Sequence, residues 1–133
     1  MSEAMKPAPS AAVLWVSRVL SGLVVGMLVL SAAFKVSGSE KVAEGFARAG
    51  FSLHLLPVLA AIELTCALLY AIPRTAVLGA ILVTGYFGGA IVTHLRAGET
   101  ALVTPLLLGV LAWAGLFLRD ARVRALIPLR ARG

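Results

Sequence analysis

Four long apolar runs dominate this sequence and decide what it can fold into. They extend over about Ala11–Phe34, Leu53–Ile72, Ala76–Thr93 and Ala101–Leu118. Each of the last two runs has 18 residues without a charge, which is ~27 Å as an α-helix and close to the ~30 Å hydrocarbon core of a bilayer. A backbone that faces lipid must satisfy its own hydrogen bonds, which a helix does within each segment. The runs therefore predict an all-α protein, a four-helix transmembrane bundle surrounded by the lipid bilayer.

The composition agrees with a surface that faces lipid. Apolar residues make up 60% of the 133 residues, charged residues only 14%, and the mean hydropathy is +0.98. A soluble domain has about 25% charged residues. The net charge of +6 does not indicate nucleic acid as a partner, because the basic residues bracket apolar runs and no aromatic residues alternate with them. A cleaved signal peptide is not expected, because the first apolar run is longer than the core of such a peptide.

The distribution of lysine and arginine predicts the orientation in the membrane. Four spans place both ends of the chain on one side, and eight basic residues fall on that side against four on the other. The first group is Lys6, Arg18, Arg74, Arg119, Arg122, Arg124, Arg130 and Arg132, and the second is Lys35, Lys41, Arg48 and Arg96. Because basic residues accumulate on the cytoplasmic side, we predict a multi-pass protein of the plasma (inner) membrane with both termini in the cytoplasm. The basic segment after Arg119 anchors this topology or, alternatively, recognises anionic lipid.

The chain divides into one membrane domain and two short terminal segments. Residues 1–10 are rich in Pro, Ala and Ser and are expected to form a disordered cytoplasmic tail. Residues 11–128 form the predicted membrane domain, and residues 129–133 a basic tail.

The connection between the first two spans carries the signals of a short helix. Ser37 and Glu40 have the spacing of a capping box, in which Ser37 caps the helix. Val42 and Phe46 then share one face, and Gly50 is expected to end the helix. We predict a short interfacial helix on the outer surface.

Glu63 is the charged residue inside the second apolar run. An ionisable group near the bilayer midplane costs roughly 2.5–3.5 kcal/mol on insertion scales, so it is by default a candidate functional residue. Counting the helical rise from Arg74 places Glu63 ~16 Å above the inner surface, and counting from Arg18 places Lys35 at ~25 Å. Two long side chains can bridge the difference of ~9 Å. The alternative partner of Glu63 is Tyr86, at ~20 Å.

A polar stripe runs along the first span. It consists of Ser17, Ser21, Val24, Leu28, Ser31 and Lys35. Residues spaced alternately by four and three positions lie on one face of a helix, so we expect this face to point into the bundle. The candidate ligand-binding residues, which we predict to converge on a polar pocket that opens outward, are Ser31, Lys35, Glu63, Tyr86 and His94.

Two further patterns concern the sides of the helices. Gly22 and Gly26, like Gly85 and Gly89, have the four-residue spacing that allows two helices to approach closely. His94 and Arg96 point in nearly opposite directions on a helix, and we expect His94 to be the one that enters the bundle.

Several kinds of chemistry have few or no candidate residues. Cys66 is the single cysteine, which excludes an intramolecular disulfide and dithiol exchange within this chain. No HxxE, HxxxH or CxxC spacing occurs, so we expect no metal site. With two histidines and six acidic residues, hydrolysis has few candidate residues. No catalytic residue is assigned, and whether the protein is an enzyme stays open.

Short motifs along the chain recur in a known order. They are Arg18, Ala33-Phe34-Lys35-Val36, Phe46 to Gly50, Glu63, Pro73-Arg74-Thr75-Ala76, Gly79, Tyr86-Phe87-Gly88-Gly89-Ala90 through His94, and Trp113 through Arg119-Asp120. Together, over roughly Val13–Pro128, they resemble the DoxX-like family of small four-helix integral membrane proteins. The motifs are specific as a set, although no single one is.

The resemblance implies an association with quinones or redox chemistry. The broader family includes a subunit associated with thiosulfate:quinone oxidoreduction and members linked to thiol-redox stress, although the lone Cys66 departs from a thiol-redox role. Three hypotheses stay open. The protein binds a lipophilic or quinone-like ligand without a covalently bound cofactor, or it serves a redox partner subunit in the membrane, or it is a structural scaffold whose polar residues only fix helix packing. A homo-oligomer is compatible with each of them.

Overall fold

The computed structural model describes residues 9–130 and 132, and in this part of the chain it contains helices and no strand. The α-helices are α1 (Ala11–Val36), α2 (Glu40–Arg48), α3 (Leu56–Ala71), α4 (Ala76–Arg96), α5 (Val103–Arg119) and α6 (Ala121–Leu126). Two single 3₁₀ turns, Leu53–Leu55 and Pro73–Thr75, lead directly into α3 and α4. The predicted all-α class is confirmed.

Three helical segments are long and apolar enough to cross a membrane. They are Ala11–Val36, Leu53–Ala71 and Pro73–Arg96. Helix α5 is also apolar but has only 17 residues. The predicted count of four membrane spans therefore stays a prediction, although each predicted apolar run corresponds to one of these helices.

The four apolar helices pack in a ring. Helix α1 lies against α3 and α5, and α4 lies against the same two helices, so α1 and α4 face each other across a diagonal. The centre of the ring is filled by Val24, Leu28, Tyr70, Val83 and Leu116, all of which are almost completely buried. Large apolar side chains also cover the outer surface of the ring, which is the arrangement that a lipid environment requires.

The stripe predicted on α1 does face the ring. Ser17, Val24, Leu28 and Lys35 are buried, and the two remaining serines are half-buried. By contrast, no atom of another helix lies within 4 Å of the position that a Cβ would take at the predicted close-contact glycines, which are Gly22, Gly26, Gly85 and Gly89. Within this chain, the prediction of close helix contact at these glycines was wrong, because they lie on exposed faces of the helices or beside a cavity.

Close helix contact occurs instead at Gly79 and Gly115. A Cβ at Gly79 would overlap the backbone of Tyr70, so α3 and α4 touch there backbone to backbone. A Cβ at Gly115 would lie 3.2 Å from the Ser17 carbonyl oxygen and 3.3 Å from the Tyr70 hydroxyl oxygen. Helices α1, α3 and α5 therefore meet at one point, which a larger residue would push apart.

The predicted short helix between the first two apolar helices is present as α2, but its cap was placed wrongly. Ser37 is the C-cap of α1, and its hydroxyl donates to the Phe34 carbonyl oxygen at 2.8 Å. The N-cap of α2 is Ser39, whose hydroxyl oxygen accepts from the Val42 amide at 3.5 Å. The chain turns between the helices at Gly38, where φ is +77°, so the first helical residue comes later than the capping-box pattern predicts.

The predicted terminal segments stay predictions. Most of the tail 1–10 and part of the tail 129–133 lie outside the described residues. Within the described part, the Ser10 hydroxyl accepts from the Val13 amide at 3.2 Å and caps α1.

Candidate functional site

A buried ion pair joins α1 to α3. The Lys35 Nζ atom lies 3.0 Å from Glu63 Oε2. Ser31, one turn before Lys35, donates from its hydroxyl to Glu63 Oε1 at 2.9 Å and accepts from Lys35 Nζ at 2.7 Å. Both carboxylate oxygens therefore have a donor. Of the two partners considered for Glu63, the structure pairs it directly with Lys35.

Both charges of this pair are shielded from solvent. Glu63 is 2% exposed and Lys35 is 8% exposed. Because a charge is costly to bury alone, burial at this depth requires both partners of the pair. Two N–H groups of the Lys35 ammonium are used by Ser31 and Glu63. The third has no acceptor among the described residues, although the ring of Phe46 lies 5.5 Å from Nζ.

The ion pair forms one wall of a cavity of about 650 Å³. The cavity lies at the end of the ring that holds Lys35 and Glu63, beneath α2. Much of its wall is apolar and aromatic, with Met27, Phe46, Phe51 and Phe87 among the lining residues. The polar side chains on the wall are Ser31, Lys35, Glu63, Tyr86, Thr93, His94, Glu99 and Thr104. All five residues singled out in the sequence thus border the same space.

Tyr86 reaches the cavity from α4, across the ring from α1. Its hydroxyl lies near the Glu63 carboxylate without joining the direct hydrogen bonds that Ser31 and Lys35 make. The tyrosine ring packs edge-on against Phe87, with ring centroids 6.2 Å apart. Tyr86 therefore presents a hydroxyl group beside the ion pair that a bound molecule can reach.

His94 lies in the last turn of α4, toward the mouth of the cavity. Its Nδ1 atom is 2.7 Å from Glu99 Oε2, and both side chains are about a third exposed, 32% and 37%. Arg96 is exposed, so the expected choice of His94 over Arg96 agrees with the structure. Glu99 was missed in the sequence because it follows the helix, where Gly98 at φ +72° turns the chain back toward His94.

A second polar cluster lies at the opposite end of the ring and was not foreseen. The Tyr70 hydroxyl donates to the Ala112 carbonyl oxygen at 2.7 Å and lies 2.8 Å from the Ser21 hydroxyl. Because Tyr70 has only one hydroxyl proton, Ser21 is the donor in the second bond. Arg119 in turn donates to Ser21, and its guanidinium carbon lies 5.9 Å from the centre of the Tyr70 ring. Two signals in the sequence pointed to this cluster. Ser21 lies on the polar stripe of α1, and Tyr70 follows Glu63 at a spacing that puts both on one face of α3.

The described residues offer no group of three His, Cys, Asp or Glu side chains that could hold a metal ion. Cys66 is buried in the core and is not bonded to another cysteine. The chemistry within reach of the cavity is therefore that of an ammonium group, two carboxylates, an imidazole and hydroxyl groups.

Comparison with protein families decides which proteins this one resembles. Residues 19–115 match the model described as the DoxX-like family. This chain belongs to the DoxX-like family. The resemblance found in the sequence is thereby confirmed, and with its apolar helices this DoxX-like chain is a membrane protein. Searches of curated proteins and of solved structures found no match.

Proposed function

We propose that this DoxX-like protein is a four-helix integral membrane protein that binds a lipophilic, quinone-like molecule in the cavity beside Lys35 and Glu63. The observation that carries the proposal is that the buried ion pair borders a cavity of about 650 Å³ instead of tight packing. Binding sites for small molecules are typically ~300–1,000 Å³ in volume, with apolar walls and a few converging polar groups. This cavity has each of those properties.

The available hydrogen bonds indicate what the head group of the ligand contributes. Lys35 has one N–H without a protein acceptor in the described part of the chain, and the Tyr86 hydroxyl group borders the same cavity. Both groups can donate, so they suit a ligand that accepts hydrogen bonds, such as the carbonyl oxygens of a quinone. Phe46 and Phe87 offer aromatic faces for a flat ring.

The membrane arrangement is part of this proposal. Helix α5 crosses the membrane as the fourth span. Its 17 residues are extended by the turn that precedes the helix. The distribution of basic residues supports an orientation with both termini in the cytoplasm, and the proposed location is the plasma membrane. Helix α2 then lies at the outer surface, above the cavity. This places the proposed ligand in the outer half of the bilayer.

A role as the membrane subunit of a redox system uses the same site. Lys35, Glu63 and Tyr86 can hold or pass protons when a bound quinone changes its oxidation state. Electrons have to come from or go to a partner subunit, because the chain has a single cysteine and therefore no dithiol of its own.

One observation favours a structural role instead. Both oxygens of Glu63 already accept hydrogen bonds from α1, so the pair also ties α1 to α3. If the ion pair served only to join α1 and α3, a larger side chain inside the cavity would not impair the function. If the cavity binds a ligand, the same side chain would exclude the ligand. The two functions therefore differ in what a larger side chain inside the cavity does.

The test compares two glycine substitutions in the purified protein in detergent. Gly85→Leu places a side chain in the cavity, whereas Gly22→Leu places the same side chain on α1, away from the cavity. The probe is a benzoquinone that carries a decyl chain, measured by the shift of the thermal unfolding midpoint and by titration. We expect wild type and Gly22→Leu to bind alike, and Gly85→Leu to bind at least about tenfold more weakly, since tenfold corresponds to only ~1.4 kcal/mol.

Two results would decide against the ligand site. If wild type shows no shift with the quinone, the cavity does not bind this class of molecule. If Gly85→Leu binds as well as Gly22→Leu, the quinone binds elsewhere. In either case the structural role of Lys35 and Glu63 becomes the better account of the site.

A further inference from the structure

A second, smaller recess adjoins the cavity. It has a volume of about 330 Å³ and lies between α1 and α2. Its lining residues are Met27, Leu30, Ser31, Phe34, Lys35, Val42 and Phe46. All of them except Leu30 and Phe34 also line the larger cavity, so the two spaces meet beside Lys35. We call this recess the lateral groove.

The lateral groove leads from the ion pair toward the outside of the ring. Leu30 and Phe34, which line only the groove, are 50% and 51% exposed on the outer face of α1. In a membrane protein this face is in contact with lipid. Apart from Ser31 and Lys35 at the inner end, the groove is lined by apolar side chains. It is therefore an apolar passage between the hydrocarbon of the bilayer and the polar part of the cavity.

Helix α2, which forms the upper wall of the groove, is weakly held. None of its residues is buried, and among the elements that the structure describes it packs on α1 and on the 3₁₀ turn before α3 alone. Phe46 of α2 lies where the two spaces join, 5.5 Å from the Lys35 ammonium and 5.5 Å from the ring of Phe51. A segment with few buried contacts opens at low free-energy cost, so a molecule can pass under α2 without unfolding the ring.

We propose that the lateral groove is a subsite for a hydrocarbon chain, and that the ligand is an amphiphile which enters sideways from the bilayer. Its head group lies beside Lys35 and Tyr86, and its chain follows the groove past Leu30 and Phe34 into lipid. This inference rests on the proposed function and deepens it, because it restricts the ligand to chain-bearing molecules. A water-soluble ligand would need only the polar mouth at His94 and Glu99, and would leave an apolar groove without use.

The first experiment blocks the groove and leaves the cavity intact. Leu30→Trp places a large ring in the groove, and Leu23→Trp is the matched control, because Leu23 is 52% exposed on the same helix and lines neither space. Two probes are compared, the benzoquinone with a decyl chain and the same ring without the chain. In wild type we expect the decyl compound to bind at least about tenfold tighter, because each buried methylene group adds to affinity.

The expected pattern is specific to the groove. Leu30→Trp should reduce the affinity for the decyl compound about tenfold, a readily measured difference of ~1.4 kcal/mol, and should leave the affinity for the bare ring unchanged. Leu23→Trp should change neither. If Leu30→Trp has no effect on the decyl compound, or weakens both compounds equally, the groove is not a chain subsite.

A second measurement does not depend on how the tryptophan is oriented. A decyl quinone with a photoreactive diazirine at the end of its chain is bound to wild type and irradiated, and the labelled peptide is identified by mass spectrometry. Labels on Leu30 or Phe34, which line only the groove, support the inference. Labels confined to residues 94–104 overturn it, because the chain then leaves through the polar mouth.

The outcomes also separate this inference from the proposed function. If the bare ring binds wild type as tightly as the decyl compound, the chain subsite is refuted and the cavity still binds quinones. If neither compound binds wild type, both proposals fail. Phospholipid with saturated chains can compete for the groove. If adding it weakens binding of the decyl compound and leaves binding of the bare ring unaffected, the result supports a chain subsite.

Discussion

The two ends of this helix ring use polar groups in opposite ways. At the end that holds the chain termini, Tyr70, Ser21 and Arg119 form a linear chain of hydrogen bonds that ends on the carbonyl oxygen of Ala112. The helices pack closely beside it, because a Cβ added at Gly115 would lie 3.2 Å from the Ser17 carbonyl oxygen and 3.3 Å from the Tyr70 hydroxyl oxygen. At the other end, Lys35 and Glu63 form an ion pair that borders a cavity of about 650 Å³.

The difference separates polar groups that hold helices together from those that can meet a ligand. At the closely packed end, the Tyr70 hydroxyl takes the place of water as the hydrogen-bond donor to the Ala112 carbonyl oxygen. This hydrogen bond stabilises one arrangement of the helices. An ion pair is a costly way to obtain the same result, because two charges have to leave water. Because the costlier arrangement lies beside the cavity, we propose the ligand site at the end of the ring that holds Lys35 and Glu63.

The largest expected effect comes from removing one charge of the Lys35–Glu63 ion pair. Lys35→Met or Glu63→Gln should each destabilise the protein, by up to about 3–5 kcal/mol, because the remaining buried charge loses its partner. The double variant should be no less stable than either single variant, because no unpaired charge remains. The free energies of unfolding of the four proteins, obtained by denaturant titration in micelles, give the coupling between the two residues.

If the losses of the two single variants simply add, Lys35 and Glu63 do not depend on each other, and the contrast between the two ends weakens. The isosteric Ser31→Ala serves as a control for hydrogen bonding alone. It should cost far less, about 0.6 kcal/mol, which is the average for a hydrogen bond between membrane helices.

The next largest effect distinguishes packed from open glycines. Gly79→Ala should destabilise by about 1–3 kcal/mol, because its Cβ would meet the Tyr70 backbone and overpacking of this kind forces the helices apart. Gly85→Ala, on the same helix, has no atom within 4 Å of its Cβ, and should be neutral or slightly stabilising. Thermal unfolding of the two variants side by side measures the difference. Equal stabilities would show that α3 and α4 are not in close contact at Gly79.

The smallest effect compares two tyrosines. Tyr70→Phe removes the hydroxyl that donates to the Ala112 carbonyl oxygen and accepts from Ser21. It should cost about 1–2 kcal/mol, within the range for a buried group left unsatisfied. Tyr86→Phe should leave stability almost unchanged and weaken binding of the decyl quinone. Unfolding and quinone titration of both variants check the two assignments. A stability loss at Tyr86 larger than that at Tyr70 would reverse the roles given to the two ends.

Part of this site could be predicted from the sequence because it depends on helical periodicity. The spacing of Ser17 to Lys35 puts these side chains on one face of α1, and a helix with polar residues on one face in lipid turns that face inward. The same counting narrowed the partners of Glu63 to Lys35 or Tyr86 but could not choose between them. The choice depends on how far α1 and α3 are shifted along each other, which no local pattern reports.

Other features were misplaced because they depend on three-dimensional contacts. The paired glycines Gly22 and Gly26 looked like a helix contact, whereas the contacts form at the isolated Gly79 and Gly115. Glu99 escaped notice because its approach to His94 requires the turn at Gly98. The start of α2 was placed at Ser37, which the longer α1 already uses as its C-cap.

By itself, the sequence determined that the chain is helical, that its helices are apolar enough for a membrane, and that α1 turns a polar face inward. These properties follow from composition and period, which act within one segment. The tertiary structure decided that Lys35 is the direct partner of Glu63, that one end of the ring is closely packed and the other encloses a cavity, and that a groove opens beside Lys35 onto the exposed face of α1. These three features depend on the relative shift and spacing of several helices, and therefore on packing between segments that are distant in the chain.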